Sequence, residues 1–285
     1  MIEVDQLTFS YPRSDAPTLR GLSFSIGQGE VYGLLGPSGA GKSTTQRILM
    51  GLLRGFGGSV RVFGEPVQKA GRSLYERIGV SFELPALYLR LTAVENLKLF
   101  AALFDRPTRD ALEVLAEVDL VDAANQRVDQ FSKGMKMRLN LARSLLHDPD
   151  LLFLDEPTTG QDPARSRTTR DLMRRLKARG KTIFLTTHNM AEAEEVCDRI
   201  GFLSKGTIPI TGSPADLKRR FGEPRVDVTA RGPQGLEQHV FPFVGLAGNV
   251  TFQSLLRDEA IVSMHSREAS LDDVFIQAVN GDARE

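Results

Sequence analysis

Residues 31–44 read VYGLLGPSGAGKST, an apolar run followed by a glycine-rich turn and a lysine. Val31 to Leu35 form a short uncharged segment of the kind that is buried on both faces of a parallel sheet. Gly36, Gly41, Lys42 and Ser43 then fall at the spacing G-x-x-x-x-G-K-[ST], in the strand–loop–helix order that this pattern requires. Glycines let the backbone curl so that successive amides point at one centre, and the helix that follows adds the positive end of its dipole. A phosphate group suits that centre. Gly36, Ser38, Gly39, Gly41, Lys42, Ser43 and Thr44 are therefore the candidate nucleotide contacts. Lys42 would reach the β- and γ-phosphates, and Ser43 would ligate Mg²⁺.

A loop of this type needs an acidic strand end to hold the metal. LLFLDEP (151–157) supplies Asp155 and Glu156 directly after four apolar residues. Asp155 is the candidate Mg²⁺ partner, acting through water. Glu156, one residue on, is placed to polarise the water that attacks a γ-phosphate. A general base within hydrogen-bond reach contributes about 10²–10⁴-fold to rate. The two motifs together imply a nucleoside triphosphatase.

Working outward, DLLFLDE precedes a helical pattern from Pro163, and KTIFLTT precedes another from Asn189. Strand-like runs alternating with helices predict an α/β fold built on a P-loop NTPase core. The first sixty residues differ, with short β runs (IEVDQLTF, LSFSI, SVRVFG) broken by Gly and Pro, which predicts an antiparallel β part. Residues 92–147 carry helical apolar spacing in TAVENLKLFAAL and ALEVLAEVDLV. After RRFGEP (219–224) the texture turns to short β-like pieces, VDVTA, HVFPFV, NVTFQ and AIVSM, then a helix near 270–279. These shifts predict an ATP-binding domain over 1–221 with a helical subdomain at about 85–147. A small α+β appendage is expected over 222–285.

Composition narrows the class. Charged residues make up 25% of the 285, with 36 basic and 36 acidic side chains, so no net field draws the chain to nucleic acid or anionic lipid. The start, MIEVDQLTFS, lacks the basic-then-apolar layout of a secretory signal. The apolar run from Leu99 to Phe104 falls far short of the about 20 residues that span a bilayer. A single cysteine, Cys197, excludes an internal disulfide, fits a reducing compartment and is expected to be a small buried apolar residue. The expected location is the cytoplasm.

Between the two phosphate motifs lies FSKGMKMRLNLARSLLHDP (131–149), with Ser132 as a helix N-cap. TTGQDP (158–163) follows, and TTHNMAEAEEVCDRI (186–200) places His188 at the end of the run KTIFLTT. In this order the motifs resemble those of the ATP-binding cassette (ABC) family over about residues 1–220. FSKGM resembles the family's signature, usually LSGGQ, with Lys133 in place of a glycine and Met135 in place of a glutamine. The resemblance implies that Ser132 and Gly134 contact ATP held by another copy's P-loop, forming a homodimer around two ATP. It implies that His188 hydrogen-bonds the γ-phosphate and that Tyr11, in FSYP, stacks on adenine. TTGQDP resembles the D-loop, with Gln161 where leucine is usual.

IGVSFELPALY (78–88) raises a separate question, since Ile78, Val80 and Phe82 alternate as in a half-buried strand and Glu83 follows. In the family a glutamine at this place touches Mg²⁺ and begins the segment that contacts the permease, so Glu83 is a third candidate metal ligand beside Ser43 and Asp155. ELPALYLRLTAVENL (83–97), SKGMKMRL and ASLDDVFIQ (269–277) resemble the drug-, antibiotic- and lipid-exporting branch of bacterial transporters. That implies an ATPase subunit at the cytoplasmic face of the membrane, bound to a separate permease. The alternative is a soluble ABC ATPase acting on ribosomes or DNA, although such proteins often carry two cassettes or a long coiled coil. The basic run RSRTTRDLMRRLKARG (165–180) reads as a solvated helix face over Leu172, Met173 and Leu176, and no nucleic-acid partner is expected.

Overall fold

The computed structural model describes residues 1–14, 16–221, 224–232, 235–258 and 260–281. They fall into two compact units, Met1–Thr211 and the residues from Gly212 on. The expected boundary at Gly222 lies outside the described residues.

The first unit holds two sheets. One is antiparallel, made of β1 (Ile2–Phe9), β2 (Leu19–Ile26), β4 (Gly57–Val62) and β5 (Glu65–Pro66) in the order β2-β1-β4-β5. Its buried residues shift phase within β1, from Ile2 and Val4 to Leu7 and Phe9. A bulge at Gln6, whose φ is 49°, absorbs that one-residue slip and keeps both halves of the strand facing the core.

The second sheet contains β3 (Val31–Leu35), β6 (Ile78–Ser81), β7 (Leu151–Asp155), β8 (Thr182–Thr187), β9 (Arg199–Phe202) and β10 (Thr211–Gly212), in the order β10-β9-β3-β8-β7-β6. The β6–β7, β7–β8, β8–β3 and β3–β9 pairings are all parallel. Every residue of β3, β7 and β8 is buried, as expected where helices cover both faces of a sheet. The helices are α1 (Lys42–Leu49), α2 (Arg72–Tyr75), α3 (Ala93–Ala101), α4 (Ala111–Glu117), α5 (Lys133–Leu145), α6 (Pro163–Ala178) and α7 (Met190–Val196). The chain is thus α/β, a P-loop NTPase core with an antiparallel β part and a helical segment that carries the signature.

β6 departs from the half-buried strand that alternation suggested. Ile78, Gly79 and Ser81 are buried, and Val80 is half-buried. The reason is the approach of α5: a Cβ at Gly79 would lie 2.2 Å from the carbonyl oxygen of Ser144. A glycine here lets the signature helix lie directly on the strand.

In the second unit α8 (Pro214–Phe221) packs against α10 (Leu271–Gly281), and β11 (Arg225–Gly232), β12 (Gly235–Pro242) and β13 (Ile261–Arg267) form an antiparallel sheet ordered β12-β11-β13. Val226, Val228, Phe241 and Phe252 make its core. NVTFQ, which reads as a β piece, is instead the start of α9 (Val250–Arg257). The Asn249 side chain accepts the Phe252 N–H at 3.0 Å, a cap that outweighs the β propensity of Val250 and Thr251.

Candidate functional site

The P-loop joins the buried end of β3 to α1. At Gly36 φ is 154°, and a Cβ would meet the Leu203 carbonyl oxygen at 2.2 Å. Gly41 caps α1 with φ 113°, in contact range of Leu19. Only glycine fits both places, and the loop between them is what aims the amides. The Lys42 ammonium donates to the carbonyls of Gly36 at 2.7 Å and Pro37 at 3.2 Å. Burial lowers its pKa, while the charges of Glu156, Asp155 and Glu83 pull it back up.

The register of the central strands brings the acids to this loop. Asp155 ends β7 opposite Thr186 of β8, whose hydroxyl donates to the Asp155 carboxylate. Burial raises the pKa of Asp155, aided by the charges of Glu156 and Glu83 and opposed by the Thr186 hydroxyl and Lys42. Glu156 follows in a left-handed conformation, φ 49°, with its N–H bonded to the Thr186 carbonyl at 2.9 Å. A left-handed non-glycine residue is costly and clusters at functional sites. The Glu156 carboxylate accepts the Thr187 hydroxyl at 3.1 Å and the His188 backbone N–H at 2.9 Å. His188 Nδ1 lies 2.7 Å from the same Glu156 oxygen, and the ring is otherwise largely exposed.

These residues share one cleft of about 540 Å³, lined by Tyr11, Ser38, Gly39, Gly41, Lys42, Ser43, Thr44, Glu83, Asp155, Glu156 and His188. Thr18 also lines it and was not among the sequence candidates. The Tyr11 hydroxyl is 3.1 Å from Thr44 Oγ1, and its ring meets Phe9 edge-on at 4.9 Å. Glu83 is exposed at the cleft, just beyond β6. Asn140 of α5 anchors that strand end, donating to Ser81 Oγ at 3.0 Å and to the Phe82 carbonyl at 2.9 Å. Asn140, Thr186 and Thr187 lie inside the motif stretches at 131–149 and 186–200, but sequence alone assigned them no role; their hydrogen-bond partners do.

Ser132 and Gly134 are not in the cleft lining. Ser132 caps α5, accepting the Met135 N–H at 3.2 Å, and Gly134 lies against Gly160 and Gln161. The Lys133 stem packs over Gly160. Gln161 accepts from the Thr169 hydroxyl at 2.9 Å and donates to the Pro157 carbonyl at 2.8 Å, tying the 157–161 turn to α6. Along α6, Arg165 pairs with Asp119, and Arg170 and Arg174 with Glu195, while Leu172, Met173 and Leu176 are buried beneath. Cys197 is buried, and burial raises its thiol pKa.

The described residues hold no group of three or more His, Cys, Asp or Glu able to bind a metal by themselves. The oxygens offered, a serine hydroxyl and carboxylates, suit a hard cation. Mg²⁺ typically takes one or two protein ligands and completes its shell with phosphate and water, so this donor set fits it only together with a nucleotide.

Residues 19–159 match the ABC transporter family model, and residues 225–268 match a fluoroquinolone efflux ABC transporter C-terminal domain. A fluoroquinolones export ATP-binding protein of Mycobacterium tuberculosis is 52% identical over 278 residues, covering 97% of this chain and 92% of the relative. The chain belongs to the ABC transporter family. A Nod factor export ATP-binding protein of Rhizobium sp. (strain N33) is 39% identical, covering 92% of each chain. Among solved structures, an ATP-binding subunit of an ABC transporter superposes with TM-score 0.70 at 31% identity, covering 78% of this chain and 93% of that one. The dimeric ATP-binding cassette MJ0796, in a post-hydrolysis state with ADP and Pi, gives TM-score 0.69 at 27% identity over 75% of this chain and 98% of its own. This ABC protein is therefore an ATPase of an export system. No helix among the described residues is long and apolar enough to cross a membrane.

Proposed function

We propose that the chain hydrolyses Mg²⁺-ATP as a homodimer at the cytoplasmic face of the membrane and drives outward transport through its permease. The observation that carries this is the Glu156 carboxylate, held by His188 and Thr187 in the same cleft as the P-loop lysine. On ATP binding Lys42 exchanges the Gly36 and Pro37 carbonyls for phosphate oxygens. Tyr11 is the candidate adenine contact, and Gly36, Ser38, Gly39, Gly41 and Thr44 form the phosphate cradle. Ser43 and Asp155, with Glu83 beside them, would hold Mg²⁺, which offsets charge on the β- and γ-phosphates. Glu156 takes the proton of the attacking water as its oxygen bonds to the γ-phosphorus and the bond to ADP breaks. His188 hydrogen-bonds the γ-phosphate.

The signature residues Ser132 and Gly134 lie outside their own chain's cleft, which supports their use on a second copy's ATP. The N-terminus of α5 then offers donors to that γ-phosphate. Domain roles follow as residues 1–221 for ATP binding, with the helical subdomain at about 85–147, and 222–285 as an appendage. The two relatives are named for different cargoes, which supports placing selectivity in the permease. Nothing in the relatives favours ribosomes or DNA as the target. Reconstitution of the chain with its co-purifying membrane protein in vesicles tests the proposal. ATP-dependent movement of a fluoroquinolone probe away from the ATPase side is expected, and co-purification with ribosomes or nucleic acid instead would overturn it.

A further inference from the structure

Behind the cleft, Glu192 of α7 is 1% exposed and its Oε1 makes no hydrogen bond. Its Oε2 lies 3.0 Å from the Thr187 hydroxyl, the same hydroxyl that is 3.1 Å from Glu156 Oε2. Thr187 Oγ1 also accepts the Asn189 N–H at 3.0 Å.

A hydroxyl has one proton to give and two lone pairs to fill. With both carboxylates ionised, Thr187 can donate to only one, and the other oxygen faces a lone pair at about hydrogen-bond distance. With Glu192 carrying its proton, the one proton and both lone pairs of the Thr187 hydroxyl are satisfied. Glu192 donates to Thr187, Asn189 N–H fills the second lone pair, and the Thr187 hydroxyl donates to Glu156. We propose that Glu192, as the neutral acid, is a positioning residue that fixes the Glu156 carboxylate through the Thr187 hydroxyl. This rests on Glu156 as the base.

The surroundings agree with a protonated Glu192. Its facing charged and titratable groups are Glu156 at the end of β7, Arg170 of α6 and Cys197 just after α7. Arg170 is turned to Glu195, at 2.8 Å. Burial, with the charge of Glu156, raises the Glu192 pKa to about 7 against the pull of Thr187, Thr158 and Arg170.

The test compares wild type with Glu192→Gln, Glu192→Ala and Thr187→Val in steady-state ATP hydrolysis, from about pH 5.5 to 9. Wild-type kcat falls as pH rises through Glu192 ionisation. Glu192→Gln keeps a donor to Thr187, so its kcat stays within about threefold of wild type and that alkaline fall disappears. Glu192→Ala and Thr187→Val lower kcat about tenfold with KM for ATP little changed. A wild-type profile without the fall, a Gln profile that superimposes on it, or a Gln variant as impaired as Ala each overturns the proposal. An infrared band from a protonated carboxyl, present in wild type near neutral pH and lost in Glu192→Gln, reports the proton independently of turnover; its absence in wild type also overturns it. Glu156→Gln, assayed alongside, separates the two readings: rapid turnover there removes Glu156 as base while the infrared band still reports Glu192.

Discussion

Glu156 Oε1 lies 2.7 Å from His188 Nδ1 and accepts the His188 backbone N–H at 2.9 Å. One carboxylate oxygen, at the end of one buried strand, is held twice by the residue that follows its neighbour. A carboxylate fixed in this way needs no reorganisation to act as the proposed base. Glu156→Gln retains the shape but cannot accept the proton. ATP binding should persist, hydrolysis should drop about 10²–10⁴-fold, and ATP-bound dimers should accumulate on gel filtration. Near-normal turnover would remove Glu156 as base.

Lys42 donates to two P-loop carbonyls. Lys42→Met keeps the stem but removes the charge and its donors. Charge-assisted bonds are worth about 1.5–3 kcal/mol, so the Kd for ATP should rise at least about tenfold in a nucleotide titration.

Glu83 shares the cleft with Asp155 and raises the cost of its ionisation. An amide at position 83 removes that repulsion and one anionic metal contact. Glu83→Gln should leave ATP binding largely intact while flattening the dependence of ATPase rate on Mg²⁺ concentration. An unchanged Mg²⁺ titration would show that Glu83 ligates nothing.

Gln161 uses both ends of its amide, on Thr169 and on Pro157. Gln161→Ala breaks both bonds and strands the Thr169 hydroxyl, which is buried. A loss of about 1–2 kcal/mol is expected by chemical denaturation, and Gln161→Leu should recover only the packing part.

The Glu192 pKa, raised to about 7 from its ordinary 4.5, has a consequence for stability. Between those values the folded chain holds a proton that the unfolded chain releases, so rising pH favours unfolding. The stabilisation lost is greatest by about pH 7 and constant above it. Wild-type Tm should therefore drop by a few degrees more than that of Glu192→Gln between about pH 5 and 8 in calorimetry. Parallel Tm curves would show that Glu192 does not hold this proton.

Much of the site was legible because each motif is local. Gly36 to Thr44, the candidate phosphate contacts, lie in one loop and the first turn of α1, and Asp155–Glu156 mark a strand end by four preceding apolar residues. Two readings failed where local pattern is ambiguous. Alternation in 78–82 looked half-exposed until α5 covered it, and Asn249 capped a helix in a stretch that alternates like a strand.

The sequence by itself determined the P-loop and the acidic strand end, because each rests on spacing within a few residues. It also determined the α/β class and the family resemblance, because these rest on the order of such local segments along the chain. Tertiary structure alone decided what holds Glu156. The β7–β8 register sets Asp155 against Thr186, and that alignment brings Thr187 to Glu156, 31 residues away, and then to Glu192. No periodicity encodes the register of two parallel strands; packing on both faces selects it, and the hydroxyl between two acids exists only once it is selected.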